Sequence, residues 1–125
     1  MKKNYFKFSD LKLEKLEDKC FLHRIVAKKM GIVYCEYQKG WIHDNIRHTN
    51  EEFMYIISGH LKATVGKANH ILKKGNGILI PANKLHSFIA LKKTIALVIF
   101  APPITSRQAE VIMEKSAKHN RKNKK

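Results

Sequence analysis

IRHTNEEFMYIISG (residues 46–59) and GNGILIPANKLH (residues 75–86) are the two stretches on which the fold turns. Each sets polar side chains of metal-ligating type among β-branched and aromatic residues. On a strand, successive side chains point to opposite faces, so Ile46, His48, Glu52, Met54 and Ile56 share one side of the first stretch if the strand stays regular. In the second, Pro81 and Asn83 mark a turn, and His86 opens a strand whose inward face carries Phe88 and Ala90. A polar group on an inward apolar face is costly unless it is paired, hydrogen-bonded or bound to a metal. His48, Glu52 and His86 make a two-histidine, one-carboxylate set. That set suits Fe(II), Mn, Zn, Ni or Cu and leaves positions open for water or substrate. The competing reading makes Glu52 a hydrogen-bonding partner of either imidazole with no metal present.

Outward from these stretches, the chain divides into short strands. Residues 20–28 and 30–38 are rich in β-branched and aromatic types and break at Met30-Gly31 and Lys39-Gly40. Residues 53–58 and 61–65 follow, and Ser58-Gly59-His60 between them has hairpin spacing. Residues 70–72, 78–80, 86–91 and 94–100 complete the series. Pro102-Pro103 ends it, because proline cannot donate to a ladder. Strands at such short, regular spacing predict an all-β antiparallel sandwich or barrel. Residues 9–18, with Leu11, Leu13 and Leu16, read as a lead-in with one helical turn. After Pro103, Ala109, Ile112 and Met113 recur at helical spacing behind Thr105 or Ser106 as a cap, predicting a short C-terminal helix. The expected division is a lead-in over 1–19, a barrel over 20–104, and a helix with a basic tail over 105–125.

A chain of 125 residues, 44% of them hydrophobic, has the size of one domain with one core. No apolar run approaches the roughly eighteen residues a spanning helix needs, and residues 1–16 lack the apolar stretch of a secretory signal. A cytoplasmic protein without a membrane segment is expected. Cys20 and Cys35 share no CxxC spacing and read as reduced, buried thiols. The formal net charge of +15 is the compositional outlier. It suits anionic partners, whether nucleic acid, membrane surface or acidic small molecules; a surface solvated by lysines is the commoner cause. Lys115, Lys118, Arg121, Lys122, Lys124 and Lys125 crowd one end with no acidic residue among them. No helix-turn-helix, zinc finger or RNP-type motif accompanies them, so nucleic acid is not the expected partner. Association of an anionic polymer with this tail stands as a second alternative function.

The two motifs resemble those of the cupin superfamily, small β-barrels of the double-stranded β-helix, or jelly-roll, type. Its usual first motif, G(x)5HxH(x)3-4E(x)6G, is matched by Gly40, His48, Glu52 and Gly59, with Ile46 in place of the first histidine. Its second, G(x)5PxG(x)2H(x)3N, is matched by Gly75, Pro81 and His86, with Asn83 for the glycine and Ala90 for the asparagine. Asparagine is among the few residues that tolerate a left-handed turn position. More narrowly, MGIVYCEYQKG (residues 30–40), the motif block and the stretch that ends at Pro102-Pro103 look like small single-domain cupins of the KdgF type. Those proteins act on unsaturated uronate monomers from pectin and alginate breakdown and promote conversion to the linear keto form. Val98 stands where such relatives usually carry an acid, and Ile104 where they often carry arginine.

The resemblance implies a homodimer, a divalent metal at His48, Glu52 and His86, and a small-molecule ligand, with Glu52 or a bound water moving a proton. Met54, Ile56, Leu79, Phe88 and Phe100 are expected to line a mostly apolar pocket with Trp41 at its mouth, and Ile46 and Val98 supply further apolar wall. His43 lies three residues before Ile46 and is assigned to the opposite face, as a loop or rim histidine. Phe53, Tyr55 and Ile57 fall on the outer face, over the sheet or a dimer interface. Two readings follow: a metal-dependent enzyme of isomerase or lyase type on a sugar-acid-like substrate, and a non-catalytic ligand-binding or regulatory cupin with a degraded metal site.

Overall fold

The structure, a computed structural model, describes residues 4–105. One 3-10 turn at Phe8–Asp10 leads into β1 (Glu14–Glu17), β2 (Cys20–Val26), β3 (Gly31–Tyr37), β4 (Ile42–Ile46) and β5 (Glu51–Ser58). There follow β6 (His60–Val65), β7 (Ala68–Lys73), β8 (Gly77–Ile80), β9 (His86–Ala90) and β10 (Thr94–Ala101). They form a six-stranded sheet in the order β1-β2-β3-β10-β5-β8 and a four-stranded sheet in the order β4-β9-β6-β7. Every pairing is antiparallel. This is the all-β jelly roll expected from the spacing of the strands.

The alternation in sequence decides which face is buried. In β5, Glu52, Met54 and Ile56 are buried while Glu51, Phe53 and Tyr55 are exposed. A slip of one residue in pairing would turn the first set outward. The core draws Val33, Cys35, Met54, Ile56 and Val98 from the larger sheet and Leu61, Ala63, Leu72, Phe88 and Ala90 from the smaller one. Each fully buried large side chain contributes about 1.5–3 kcal/mol. Among the described residues no helix is long and apolar enough to cross a membrane.

Three expectations are corrected. Ser58-Gly59-His60 is no hairpin: β5 pairs with β10 and β8, whereas β6 pairs with β7 and β9, so the chain changes sheets at Gly59. Gly59 has φ +102°, and a Cβ there would collide with the Lys93 carbonyl and come within 2.6 Å of Thr94 Cα. Second, the lead-in keeps only the single 3-10 turn; Glu14–Glu17 is a strand paired with β2 and extends the larger sheet. Third, Ile46 to Ile56 is not one regular strand: β4 ends at Ile46 and β5 begins at Glu51 in the other sheet, and a bulge interrupts the pairing of β4 with β9 between His43 and Ile46. The C-terminal helix expected around Ala109, Ile112 and Met113, with its basic tail, lies outside the described residues.

Candidate metal centre

His48, Glu52 and His86 come together from three separate places in the chain. His48 sits in the link between β4 and β5, Glu52 near the start of β5, and His86 at the start of β9. Backbone geometry joins the two motifs: the Asn83 amide donates to the His48 carbonyl at 2.7 Å, and Asn83 has φ +65°. The Lys84 amide closes the turn on the Pro81 carbonyl at 3.2 Å. Asn50, buried in the same link, donates its side-chain amide to the Pro102 carbonyl at 2.7 Å and so fastens the loop to the end of β10.

The imidazoles are fixed by their outer nitrogens. His48 Nδ1 lies 3.0 Å from the Asn50 carbonyl and His86 Nδ1 2.9 Å from the Lys84 carbonyl. Carbonyls only accept, so each Nδ1 carries a proton, and either ring, when neutral, turns an Nε2 lone pair inward. His48 Nε2 stands 3.1 Å and His86 Nε2 3.6 Å from the same oxygen, Glu52 Oε1. The rings meet edge to face, with centroids 4.9 Å apart. All three ligand atoms lie within 4.8 Å of one another, and all three residues are buried. His86 Nε2 has no hydrogen-bond partner.

Without a cation, His48 Nε2 must be protonated to donate to Glu52 and His86 Nε2 is left without a partner; a divalent cation satisfies all three groups at once, so the donor set fits one. Burial holds His86 below the ordinary imidazole range, which keeps it neutral and able to ligate. Burial also pulls His48 down, but its hydrogen bond to Glu52 and the charge of that carboxylate together raise it.

The cupin domain family matches residues 33–102, more than half of the chain. The chain belongs to this family. It is a small cupin resembling the KdgF type, with a fold similar to KdgF from Halomonas sp.; there the TM-score is 0.76 at 14% identity, covering 81% of this chain and 94% of that one. An RmlC-like cupin from Shewanella frigidimarina gives a TM-score of 0.76 at 15% identity, covering 81% and 92%. A variant of the Bacillus subtilis oxalate decarboxylase gives 0.72 at 19% identity over 83% of this chain, which spans 30% of that protein. An uncharacterized protein of Streptomyces coelicolor is 24% identical over 100 residues, covering 78% of this chain and 95% of its own length.

Over His48 and Glu52, this cupin opens a mostly apolar pocket. His48, Glu52, Met54, Phe88, Val98 and Phe100 line it. Ile46 and Ile56 are buried behind it, the first paired in register with His86 and the second deeper along β5. Leu79 is 60% exposed and points to the other side of the larger sheet, where it lies with Phe53 and Ile99. Its place in the pocket belongs to no β8 side chain, since Ile80, the inward neighbour, is packed in the core. Trp41 is buried in the wall rather than set at the mouth, stacked on Tyr37 at 3.9 Å between ring centroids.

Two groups were not legible as site residues. His43 lines the pocket instead of facing away, because the bulge and the positive φ of Asn45 (52°) reset the alternation before Ile46. Its Nδ1 lies 3.2 Å from Glu17 Oε1, which also accepts from Trp41 Nε1 at 2.8 Å. Arg24 lines the pocket as well. Its inward position follows from alternation with Cys20 and Leu22, a signal present in the sequence but hidden by the abundance of basic residues.

Proposed function

We propose that this cupin holds a divalent metal, one of Fe, Mn, Zn, Ni or Cu, at His48, Glu52 and His86 and acts there on a small sugar-acid-like molecule as an isomerase or lyase. The observation that carries the reading is the convergence of two oriented Nε2 atoms on Glu52 at the floor of an apolar pocket. A metal bound there supplies Lewis acidity toward a ligand oxygen. The chain's own residues do the rest. Met54, Val98 and Phe100 exclude water from the reacting face, Phe88 offers a flat wall, and Glu52 moves the proton. His43, held by Glu17, is a second pocket imidazole able to take up or release one.

Likeness to KdgF-type cupins and the strongly positive chain support an acidic substrate. The outward Phe53, Tyr55 and Leu79, each at least 39% exposed, support pairing of two copies. The apolar residues Ile46 and Val98 favour the second reading, a cupin that binds its ligand without turning it over. Loss of the conjugated chromophore of an unsaturated uronate monomer, followed with metal-loaded protein, separates the two. The enzyme reading predicts a rate above the spontaneous background that disappears in His86→Ala. A rate equal to background leaves the binding-only cupin.

A further inference from the structure

Among the described residues two buried side-chain nitrogens have no hydrogen-bond partner: His86 Nε2, in the triad, and Arg24 Nε, in the pocket wall. Along β2, Arg24 lies between Leu22, which is 3% exposed, and Val26, which is 62% exposed, so the guanidinium stands between core and opening. Its companion is Glu14, whose Oε2 is 3.5 Å from Nε; the contact is an ion pair without a hydrogen bond, and both side chains remain partly open to solvent.

Register places Arg24 relative to the triad. Arg24 pairs with Val33, Val33 with Val98, and Val98 with Met54, an apolar row across four strands. The next row toward the opening runs from Val26 through Gly31 and Phe100 to Glu52. Three inter-strand steps of about 4.8 Å separate the ends of each row, roughly 14 Å of backbone. Arg24 pairs with Glu14 and Glu52 with the two histidines, so neither reaches the other, and a small molecule has room to lie between them. Gly31 contributes no side chain to the lane, and the intervening valines and Phe100 offer a ligand no charged partner.

We infer that Arg24 is the carboxylate-recognition residue of this pocket. A small organic acid lies across the sheet with its carboxylate on the guanidinium, in place of Glu14, and its hydroxyl or carbonyl oxygens at the triad. Guanidinium suits this role because its planar fork matches a carboxylate, and the Glu14 contact leaves that fork underused. The placement of the oxygens rests on the metal reading; the recognition of the carboxylate does not.

The test titrates D-galacturonate and the uncharged D-galactose into the full-length protein, metal-free and zinc-loaded, by calorimetry. Arg24→Gln is expected to weaken galacturonate at least tenfold and leave galactose unchanged, with Arg24→Lys retaining part of the affinity. Glu14→Gln is expected to tighten galacturonate severalfold, because a competitor for the guanidinium is gone. A merely structural Arg24–Glu14 pair would make both variants weaken binding together, and that result overturns the proposal. Galacturonate binding that is absent in the wild type, or unaffected by Arg24→Gln, overturns it too. Failure to take up zinc sinks the metal reading alone, since the preference for acid over neutral sugar is read in the metal-free protein.

Discussion

The Asn83 amide donates to the His48 carbonyl at 2.7 Å, which makes one motif the scaffold of the other. Asn83 holds φ +65° in the turn whose next residue, Lys84, supplies the carbonyl that orients His86. Asn83→Gly therefore leaves stability within about 0.5 kcal/mol and metal affinity unchanged. Asn83→Val forces a β-branched residue into the left-handed region at a cost of about 1–2 kcal/mol, lowering the melting temperature by roughly 4–8 °C per kcal/mol and weakening metal binding. Thermal unfolding with and without metal checks both.

Ile46 and His86 are register partners on β4 and β9, so their side chains lie side by side on one face, and Ile46 is 1% exposed. Ile46→His places a further imidazole beside the triad. It should strengthen zinc binding by about tenfold or more, about 1.4 kcal/mol, and destabilise the metal-free protein, where the new ring is buried without a partner. Zinc titration against a chelating indicator, with denaturant unfolding of the metal-free form, reads the two effects. An affinity equal to wild type contradicts the placement of Ile46.

The core of this architecture was written in the sequence because period-two alternation and ligand spacing are local signals. His48, Glu52, Met54 and Ile56 announce one face of β5, and Pro81-Ala82-Asn83 announces a turn. What the sequence hides is non-local. Nothing near Gly59 says that β5 and β6 belong to different sheets; the reason is the approach of Lys93 and Thr94 from elsewhere in the chain. The bulge that turns His43 inward breaks the alternation on which its assignment rested. The face of Leu79 is not legible because the phase of a four-residue apolar strand, Gly77–Ile80, is set by its pairing with β5 and not by its own pattern.

Burial pushes the thiol of Cys35 up to about 12 and that of Cys20 higher still. An unfolded thiol titrates near 8.5, so between that value and the folded ones the unfolded chain has lost protons that the folded chain keeps. Each thiol then contributes stability that is complete below pH of about 8.5 and is lost as pH rises above it, by up to about 1.4 kcal/mol per pH unit. Urea unfolding between neutral and alkaline pH should show this fall, with a shallower slope in the Cys20→Ala/Cys35→Ala protein. Rapid labelling of the native protein by a thiol-specific reagent at neutral pH would contradict the burial.

Trp41 is the sole tryptophan of the chain and donates its indole N–H to Glu17 inside the pocket. Trp41→Phe keeps the stack on Tyr37 but strips Glu17 of one donor, at a cost of about 1–2 kcal/mol in thermal unfolding. In the wild type a ligand entering the pocket changes tryptophan fluorescence. Binding that is detected by calorimetry but silent in fluorescence would place the ligand elsewhere.

Metal stoichiometry bears most directly on the account. Full-length protein exposed to divalent zinc, then freed of unbound ion, is to be analysed by elemental mass spectrometry beside His86→Ala. Convergence of His48, Glu52 and His86 predicts about one zinc per chain in the wild type and essentially none in the variant. No zinc in the wild type, or equal zinc in both, contradicts it.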